Sequence, residues 1–393
     1  MKKLLVLALG ATLLITGLPA NAAVKAGASC SAIGSKKISG DKEFTCKRSG
    51  TKLVWNKGVV FKSSPGTKNT SKSKVISFLD FKKSKPKEDL TFSNLGKSYA
   101  YVPYLAWAKS GEKIAKFEPT NLKLTVLVGP NTDPINKSPG NAVNLVSKMY
   151  GDYIQASEFV LIYYNFDDIA WAEKLVDEYI GKNGGYDTSG DVKKFCPSRN
   201  NCNSAGALTN SVTGIGLTMI TASDQQRSNP IFLSGTLEAH EYSHTIQKKQ
   251  YFGRMPQGLA PPQWLTEGGA EFIQTASIHH QSFDKYLTDR NKVTEYLYSF
   301  KDFNNSRLDA FLNPSKLGTD WNLWKGYDGF RVYDIGFMVS EILVAIKGPN
   351  SIMEIFKLMG DGVTFQESFY KVFGVQWDTA IASITQALAD QLS

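Results

Sequence analysis

The residues best suited to chemistry in this chain lie in two short segments, HEYSH at 240–244 and WLTEGGAE at 264–271. On a helix, His240 and His244 lie one turn apart on the same face, so both imidazoles can reach one metal ion. Glu241 lies beside them, where its carboxylate can take a proton from an attacking water molecule. His-Glu-x-x-His at this spacing is typical of zinc hydrolases, and the sequence therefore predicts a Zn²⁺ site.

A catalytic zinc takes three protein ligands and keeps one open position. Glu267 is the predicted third ligand, because the small residues that follow it at 268–270 allow its helix to approach the histidine helix closely. Glu271 lies one turn further on the same face. There its carboxylate can accept the free ring N–H of a ligand histidine and set the tautomer. A solvated helix face is the alternative for Glu271.

The spacing of these motifs resembles that of the gluzincins, a group of zinc metallopeptidases in the MA clan that includes thermolysin-like and aminopeptidase N-like enzymes. Glu267 stands in a W-L-x-E-G context, 23 positions after His244, which is closer to the aminopeptidase N group. In that group the oxyanion is stabilised by a tyrosine in a Y-x-x-G context. That tyrosine follows the glutamate ligand at about the same spacing that separates Tyr333 from Glu267 in this chain. The resemblance covers roughly residues 210–390 and implies this role for Tyr333, in YDIG. A core position is the alternative for this tyrosine.

The chain departs from the aminopeptidases upstream of the histidines. Those enzymes carry a G-x-M-E-N motif whose glutamate holds the free amino terminus of the substrate, but GIGLTMI at 214–220 contains no acid. Cleavage of internal peptide bonds is therefore the expected activity. The same stretch is a candidate for the edge strand along which a gluzincin binds an extended substrate, with a plain core strand as the alternative.

Two other functions fit the same residues. One is a non-catalytic zinc-containing protein that binds a peptide or a cell-wall fragment, although every catalytic position is filled. The other is a zinc hydrolase that acts on amides or esters outside peptides. No specificity pocket can be read from the sequence to separate these substrates.

Strand and helix patterns alternate before the metal motif, and helical patterns dominate after it. Strands are predicted at 122–129, 159–165 and 214–220, and helices at 105–114, 142–153, 167–180 and 236–249. The predicted fold class is α+β and zincin-like, with an N-terminal mixed α/β subdomain at 75–249. A mainly helical subdomain follows at 250–393 and carries the third ligand.

The start of the chain predicts export. Residues 1–22 contain Lys2 and Lys3, a short apolar run and the small-x-small sequence Ala20 to Ala22, as in a cleaved signal peptide. No later segment offers about 20 uninterrupted apolar residues, so we expect a soluble secreted protein, extracellular or associated with the cell wall. An uncleaved anchor is the alternative.

Four cysteines form two sequence-local pairs, and in an oxidising compartment these predict the disulfides Cys30 to Cys46 and Cys196 to Cys202. The first pair lies in a small predicted module at 23–61, which resembles small modules at the front of secreted actinobacterial proteins. The second lies in a polar stretch, 187–204, that predicts a surface excursion.

The basic charge of the chain is concentrated near its start. The net charge is +9, whereas residues 23–74 hold twelve Lys or Arg and two acidic residues. Residues 62–74, rich in Ser, Thr and Lys, predict a flexible linker. The basic segment predicts attachment to an anionic cell-wall polymer or membrane surface, with a solubilising tail as the alternative. Basic and aromatic residues are not interleaved, so no nucleic-acid partner is expected.

Overall fold

A computed structural model describes residues 25–30, 33, 36–39, 42–60, 81–118, 121–183, 186–187, 190–223, 226–227, 234–295, 297, 305–312 and 331–392. The predicted signal peptide, 1–22, and linker, 62–74, lie outside these residues. The chain divides into two compact units, residues 1–75 and 76–393. The two subdomains predicted on either side of residue 250 belong to the same unit.

The first unit is a small antiparallel sheet. Its strands are β1 (Lys36–Ser39), β2 (Lys42–Ser49), β3 (Lys52–Trp55) and β4 (Val59–Val60). β2 pairs with each of the other three. The buried Cys46 on β2 forms a disulfide with Cys30, which confirms the predicted pairing.

The second unit contains a four-stranded sheet. Its strands are β5 (Lys123–Val128), β6 (Glu158–Tyr164), β9 (Ala205–Thr209) and β10 (Gly216–Thr221). The order is β5-β6-β10-β9, with β5, β6 and β10 parallel and β9 antiparallel. A short hairpin, β7 (Lys182–Asn183) with β8 (Tyr186–Asp187), lies apart from it. The strand formed by the GIGLTMI stretch, β10, is thus an interior strand, because it pairs with β6 on one side and with β9 on the other.

Helices surround this sheet and continue to the end of the chain. The described helices are α1 (Leu95–Ser98), α2 (Val102–Lys116), α3 (Pro139–Met149), α4 (Ile169–Tyr179), α5 (Gly190–Phe195), α6 (Thr236–Tyr251), α7 (Gln263–Ile278), α8 (Phe283–Thr294), α9 (Asn305–Leu312), α10 (Arg331–Lys347), α11 (Asn350–Gly360), α12 (Phe365–Phe373) and α13 (Trp377–Leu392). The second unit is thus a mixed α/β structure, mainly helical after residue 235.

The two faces of β6 belong to two apolar clusters, because successive side chains of a strand point to opposite faces. Phe159, Leu161 and Tyr163 join the large cluster formed with the later helices, which includes Tyr242 of α6. Val160, Ile162 and Tyr164 join a smaller cluster, which includes α4, α5 and both members of the second disulfide. The sheet therefore has one face towards α6, the helix that carries the two histidines.

The second predicted disulfide, Cys196 to Cys202, is also present. Both of its cysteines are buried, and Val192 of α5 is fully buried beside them. Most of the described residues of 187–204 are exposed, as a surface excursion predicts, while Val192 and the two cysteines anchor the stretch against the sheet. Two disulfides indicate a protein outside the cytosol.

Among the described residues, no single helix has the length and apolar character needed to cross a membrane. Val332–Lys347 and Asn350–Gly360 pass that test by length and composition only when they are combined across a bend of 102°.

Candidate metal centre

The metal-ligand candidates come from two neighbouring helices. α6 carries His240 and His244 one turn apart, and both side chains are buried. α7 carries Glu267 in its first two turns, and its side chain is about one-fifth exposed. The structure brings these three residues together, and one atom from each lies within 4.8 Å of the others.

The three facing atoms form a nearly equilateral triangle. Nε2 of His240 lies 3.1 Å from Nε2 of His244. Oε2 of Glu267 lies 3.5 Å from the first nitrogen and 3.3 Å from the second. Ligands at bond lengths of about 2.0–2.1 Å in a tetrahedral site are about 3.3 Å apart. The triangle therefore has the dimensions of one face of such a site, and this group could hold a metal ion.

The charges of the site favour a cation. Burial raises the pKa of Glu267, but hydrogen bonds with His240 and His244 outweigh it and hold that pKa well below its usual range. Burial lowers the pKa of His240, but the hydrogen bond to Glu267 and the nearby carboxylates of Glu271 and Glu241 raise it to about 9. Three carboxylates thus favour positive charge at one buried point.

Gln247, which the sequence analysis did not single out, orients the second histidine. Its Oε1 lies 2.8 Å from Nδ1 of His244, and its Nε2 donates to the carbonyl oxygen of Thr266 at 3.0 Å. Because the amide nitrogen is used on that carbonyl, the amide oxygen is left to accept the Nδ1 proton of His244. The free lone pair of the ring is then on Nε2, within the triangle. The i+3 spacing after His244 could have indicated this contact.

Glu271 lies on the far side of the first histidine. Its Oε1 is 3.8 Å from Nδ1 of His240, which is too long for a hydrogen bond, and its Oε2 accepts from Nε2 of Gln274. Burial raises the pKa of Glu271, whereas the nearby His240 lowers it. The structure thus places Glu271 beside His240 with a side chain that is 15% exposed, and not on a solvated helix face.

Glu241 shares the buried site and lies on the side of α6 that faces the sheet. Thr245, one turn further, would contact a side chain placed at Gly216 of β10. Lys248 donates from Nζ to the carbonyl oxygen of Ala207 on β9 at 2.7 Å. Positions 241, 245 and 248 share one helix face, so the carboxylate of Glu241 is on the side of the β9 edge.

Tyr333 of α10 lies against His240. Its ring stacks on that of His240, with centroids 6.2 Å apart and an angle of 29° between planes. Burial, together with the carboxylates of Glu267 and Glu241 and a hydrogen bond to Glu267, raises the pKa of Tyr333 well above its ordinary value. The phenol therefore stays protonated at neutral pH and is a hydrogen-bond donor.

Two glycines bring α7 and α10 into backbone contact. A Cβ added to Gly268 would lie 2.1 Å from the carbonyl carbon of Gly336, and one added to Gly336 would lie 2.3 Å from the carbonyl oxygen of Trp264. This close crossing places Tyr333 next to Glu267. Gly268 therefore allows α10 to approach α7 closely. The sequence predicted instead that this glycine allows α7 to approach α6, the helix that carries the histidines. Gly269 is the glycine beside Gln247 of α6.

His279 and His280 lie outside the metal-ligand group. Nε2 of His279 lies 2.5 Å from Oδ2 of Asp289, and Nδ1 of His280 lies 2.8 Å from the carbonyl oxygen of Ser277. The side chain of His279 is only 13% exposed and lies in the turn between α7 and α8. It joins the end of α7 to α8.

Comparisons with protein-family models, with curated proteins and with solved structures find no match to this chain.

Proposed function

We propose that this chain is a secreted zinc-dependent metallopeptidase of the gluzincin type, with a zincin-like catalytic fold, that hydrolyses internal peptide bonds. The observation that carries the proposal is the triangle of His240 Nε2, His244 Nε2 and Glu267 Oε2, with sides of 3.1 to 3.5 Å. Two imidazoles and one carboxylate are a donor set that zinc takes in catalytic sites.

The three residues of the triangle would hold the zinc ion. When bound, zinc supplies a Lewis acid for the substrate carbonyl and lowers the pKa of water towards neutrality. Gln247 keeps His244 in the tautomer that presents a lone pair, as the 2.8 Å contact requires. Glu271 adds negative charge beside His240.

Glu241 is the proposed general base. It accepts a proton from the attacking water and passes it to the leaving amine. Its position one residue after His240, on the side of α6 towards β9, suits both transfers.

Tyr333 is the proposed oxyanion donor. Its phenol is protonated because its raised pKa lies far above neutral pH. A donor held beside His240 and Glu267 can stabilise the negative charge that develops on the carbonyl oxygen in the transition state.

The outer side of β9 is the proposed peptide track. The amide of Thr221 donates to Ser204 O, and that of Asn210 to Ile215 O, so residues 204 and 210 face β10. By the alternation of an antiparallel pair, the backbone groups of residues 205 and 207 point outward, where an extended peptide can pair with them. The outward carbonyl of Ala207 already accepts from Lys248.

The basic front segment is proposed to hold the exported enzyme on an anionic cell-wall or membrane surface. Lys47, Arg48 and Lys52 are exposed on the β2–β3 hairpin. Deleting residues 23–74 should abolish retention on the surface of the producing cell. Unchanged retention would rule out this role.

The test of the peptidase is the cleavage of a quenched random-peptide library, with and without a chelator. Glu241→Gln should retain zinc but lower the cleavage rate on the order of 10²- to 10⁴-fold. Glu178→Gln, an identical change at an exposed position of α4, is the matched control and should leave the rate unchanged. A Glu241→Gln protein with nearly full activity would contradict the assignment of the base.

A further inference from the structure

A lysine-lined cavity lies apart from the metal centre. It has a volume of about 320 Å³ and lies between the second half of α2 and the junction of α10 with α11. Its lining residues are Lys109, Glu112, Lys113, Lys116, Lys347, Gly348, Pro349 and Asn350. Lys347 ends α10, fourteen residues after Tyr333, a distance of about 21 Å along the helix.

The basic lining comes from one face of α2, where lysines follow each other at 109, 113 and 116. This i, i+4, i+7 spacing points them to one side of the helix. Lys347 approaches from the other wall. The volume is at the low end of the range for small-molecule sites.

Three of these lysines have neutral partners. Nζ of Lys109 donates to the carbonyl oxygens of Ala345 and Ile346, each at 2.8 Å, and Lys347 donates to that of Val372. Nζ of Lys116 lies 5.6 Å from the ring centroid of Phe117. Among the described residues, no carboxylate lies within ion-pair distance of these three ammonium groups.

The acidic groups near the cavity are already engaged. Glu112 accepts from Lys85 at 3.1 Å. Asp152 forms an ion pair with Lys113 and accepts from Nδ2 of Asn350 at 2.9 Å. The positive charge of Lys109, Lys116 and Lys347 is therefore left in excess within the cavity.

Burial and the helix ends do not add to the positive field of the lysines. Lys109 is half-buried. Burial lowers the pKa of its ammonium group, whereas the carboxylates of Asp89 and Glu112 raise it. α11 begins at Asn350 with the positive end of its dipole, but α10 ends at Lys347 in the same wall with the negative end of its own dipole. Lysine side chains from two walls of one small volume suit a ligand with several anionic oxygens.

We propose that this cavity binds a phosphate group, either as free inorganic phosphate or as a phosphate ester. Lys116 contacts the anionic oxygens, while Lys109 and Lys347, whose ammonium groups donate to main-chain carbonyls, supply positive charge from the cavity walls. The site is independent of the proposed peptidase activity, since it uses none of the same residues.

The test is isothermal titration calorimetry on the full zinc-loaded chain at constant ionic strength, with inorganic phosphate and glycerol 3-phosphate as separate probes. Lys116→Gln should weaken binding of the preferred probe about tenfold, the loss of one charge-assisted contact. Lys193→Gln removes one charge from an exposed lysine of α5 and is the matched control. It should bind as the unaltered chain does.

Tighter binding of inorganic phosphate would identify the free anion as the ligand, and tighter binding of the ester would identify a phosphorylated compound. Either result supports the site if Lys116→Gln weakens it selectively. The absence of binding heat for both probes, or equal affinities of Lys116→Gln and Lys193→Gln, would overturn the proposal. Equal affinities would place any bound phosphate elsewhere, such as at zinc.

Discussion

Nδ1 of His244 lies 2.8 Å from Oε1 of Gln247, and the same amide reaches across to α7 through its bond to Thr266 O. One side chain therefore orients a metal-ligand candidate on α6 and ties that helix to α7, where Glu267 follows Thr266 directly. This amide therefore fixes the position of α6 relative to α7 at the candidate metal site.

Replacing Gln247 should weaken zinc binding while leaving all three ligands in place. We expect Gln247→Leu to lower zinc affinity about 10- to 100-fold, because His244 loses the acceptor that sets its tautomer. Gln247→Glu keeps the acceptor and should lose less. Competition against a chromogenic chelator measures both affinities, and an unchanged affinity in Gln247→Leu would show that the contact does not orient the ligand.

Tyr333→Phe separates catalysis from binding. Loss of an oxyanion donor should lower kcat on the order of 10²-fold with little change in KM. Zinc content is measured in parallel, because the phenol also bonds to Glu267. If kcat is unchanged, the donor is another group, and Tyr327, outside the described residues, becomes the candidate.

Gly268→Ala should destabilise the fold, because the new Cβ would overlap the backbone of Gly336 in α10. We expect a loss of about 1–3 kcal/mol, as for other overpacked cores, measured as the urea dependence of unfolding. Gly96→Ala in α1 is the control, since a Cβ there meets no atom within 4 Å. Equal stabilities of the two variants would refute the close helix crossing.

The pair Asp289 and His279 should make stability depend on pH in acid. The hydrogen bond from His279 lowers the pKa of Asp289 to about 2, below its unfolded value of about 3.9. A depressed carboxyl pKa stabilises the fold above the unfolded pKa, and this contribution is lost as pH falls from about 4 to about 2. The stability difference between the unaltered chain and Asp289→Asn should therefore shrink over that window. A difference independent of pH would contradict it.

The sequence predicted the parts of the site that depend on local geometry. His240, Glu241 and His244 are fixed by the helical repeat, and both disulfides join cysteines close in sequence. The glycine contact between positions 268 and 336 could not be anticipated in the same way, because it depends on which helix packs against α7.

Contacts between segments far apart in the sequence also explain the remaining features that the sequence did not predict. The place of β10 in the sheet depends on β9 pairing with it, which its own composition does not reveal. Arg290 and Glu341, both fully buried, form an ion pair at 2.8 Å between α8 and α10, although each is a typical surface residue type. Such contacts become visible only when distant helices are packed together.

The most direct test of the central claim is the zinc content of the purified full chain, measured by mass spectrometry after dialysis. We expect one zinc per chain, and its loss in His244→Ala and in Glu267→Ala. His280→Ala, which removes a histidine outside the group, should retain it. A chain that binds no zinc, or a His244→Ala protein that binds as much as His280→Ala, would contradict the metal centre.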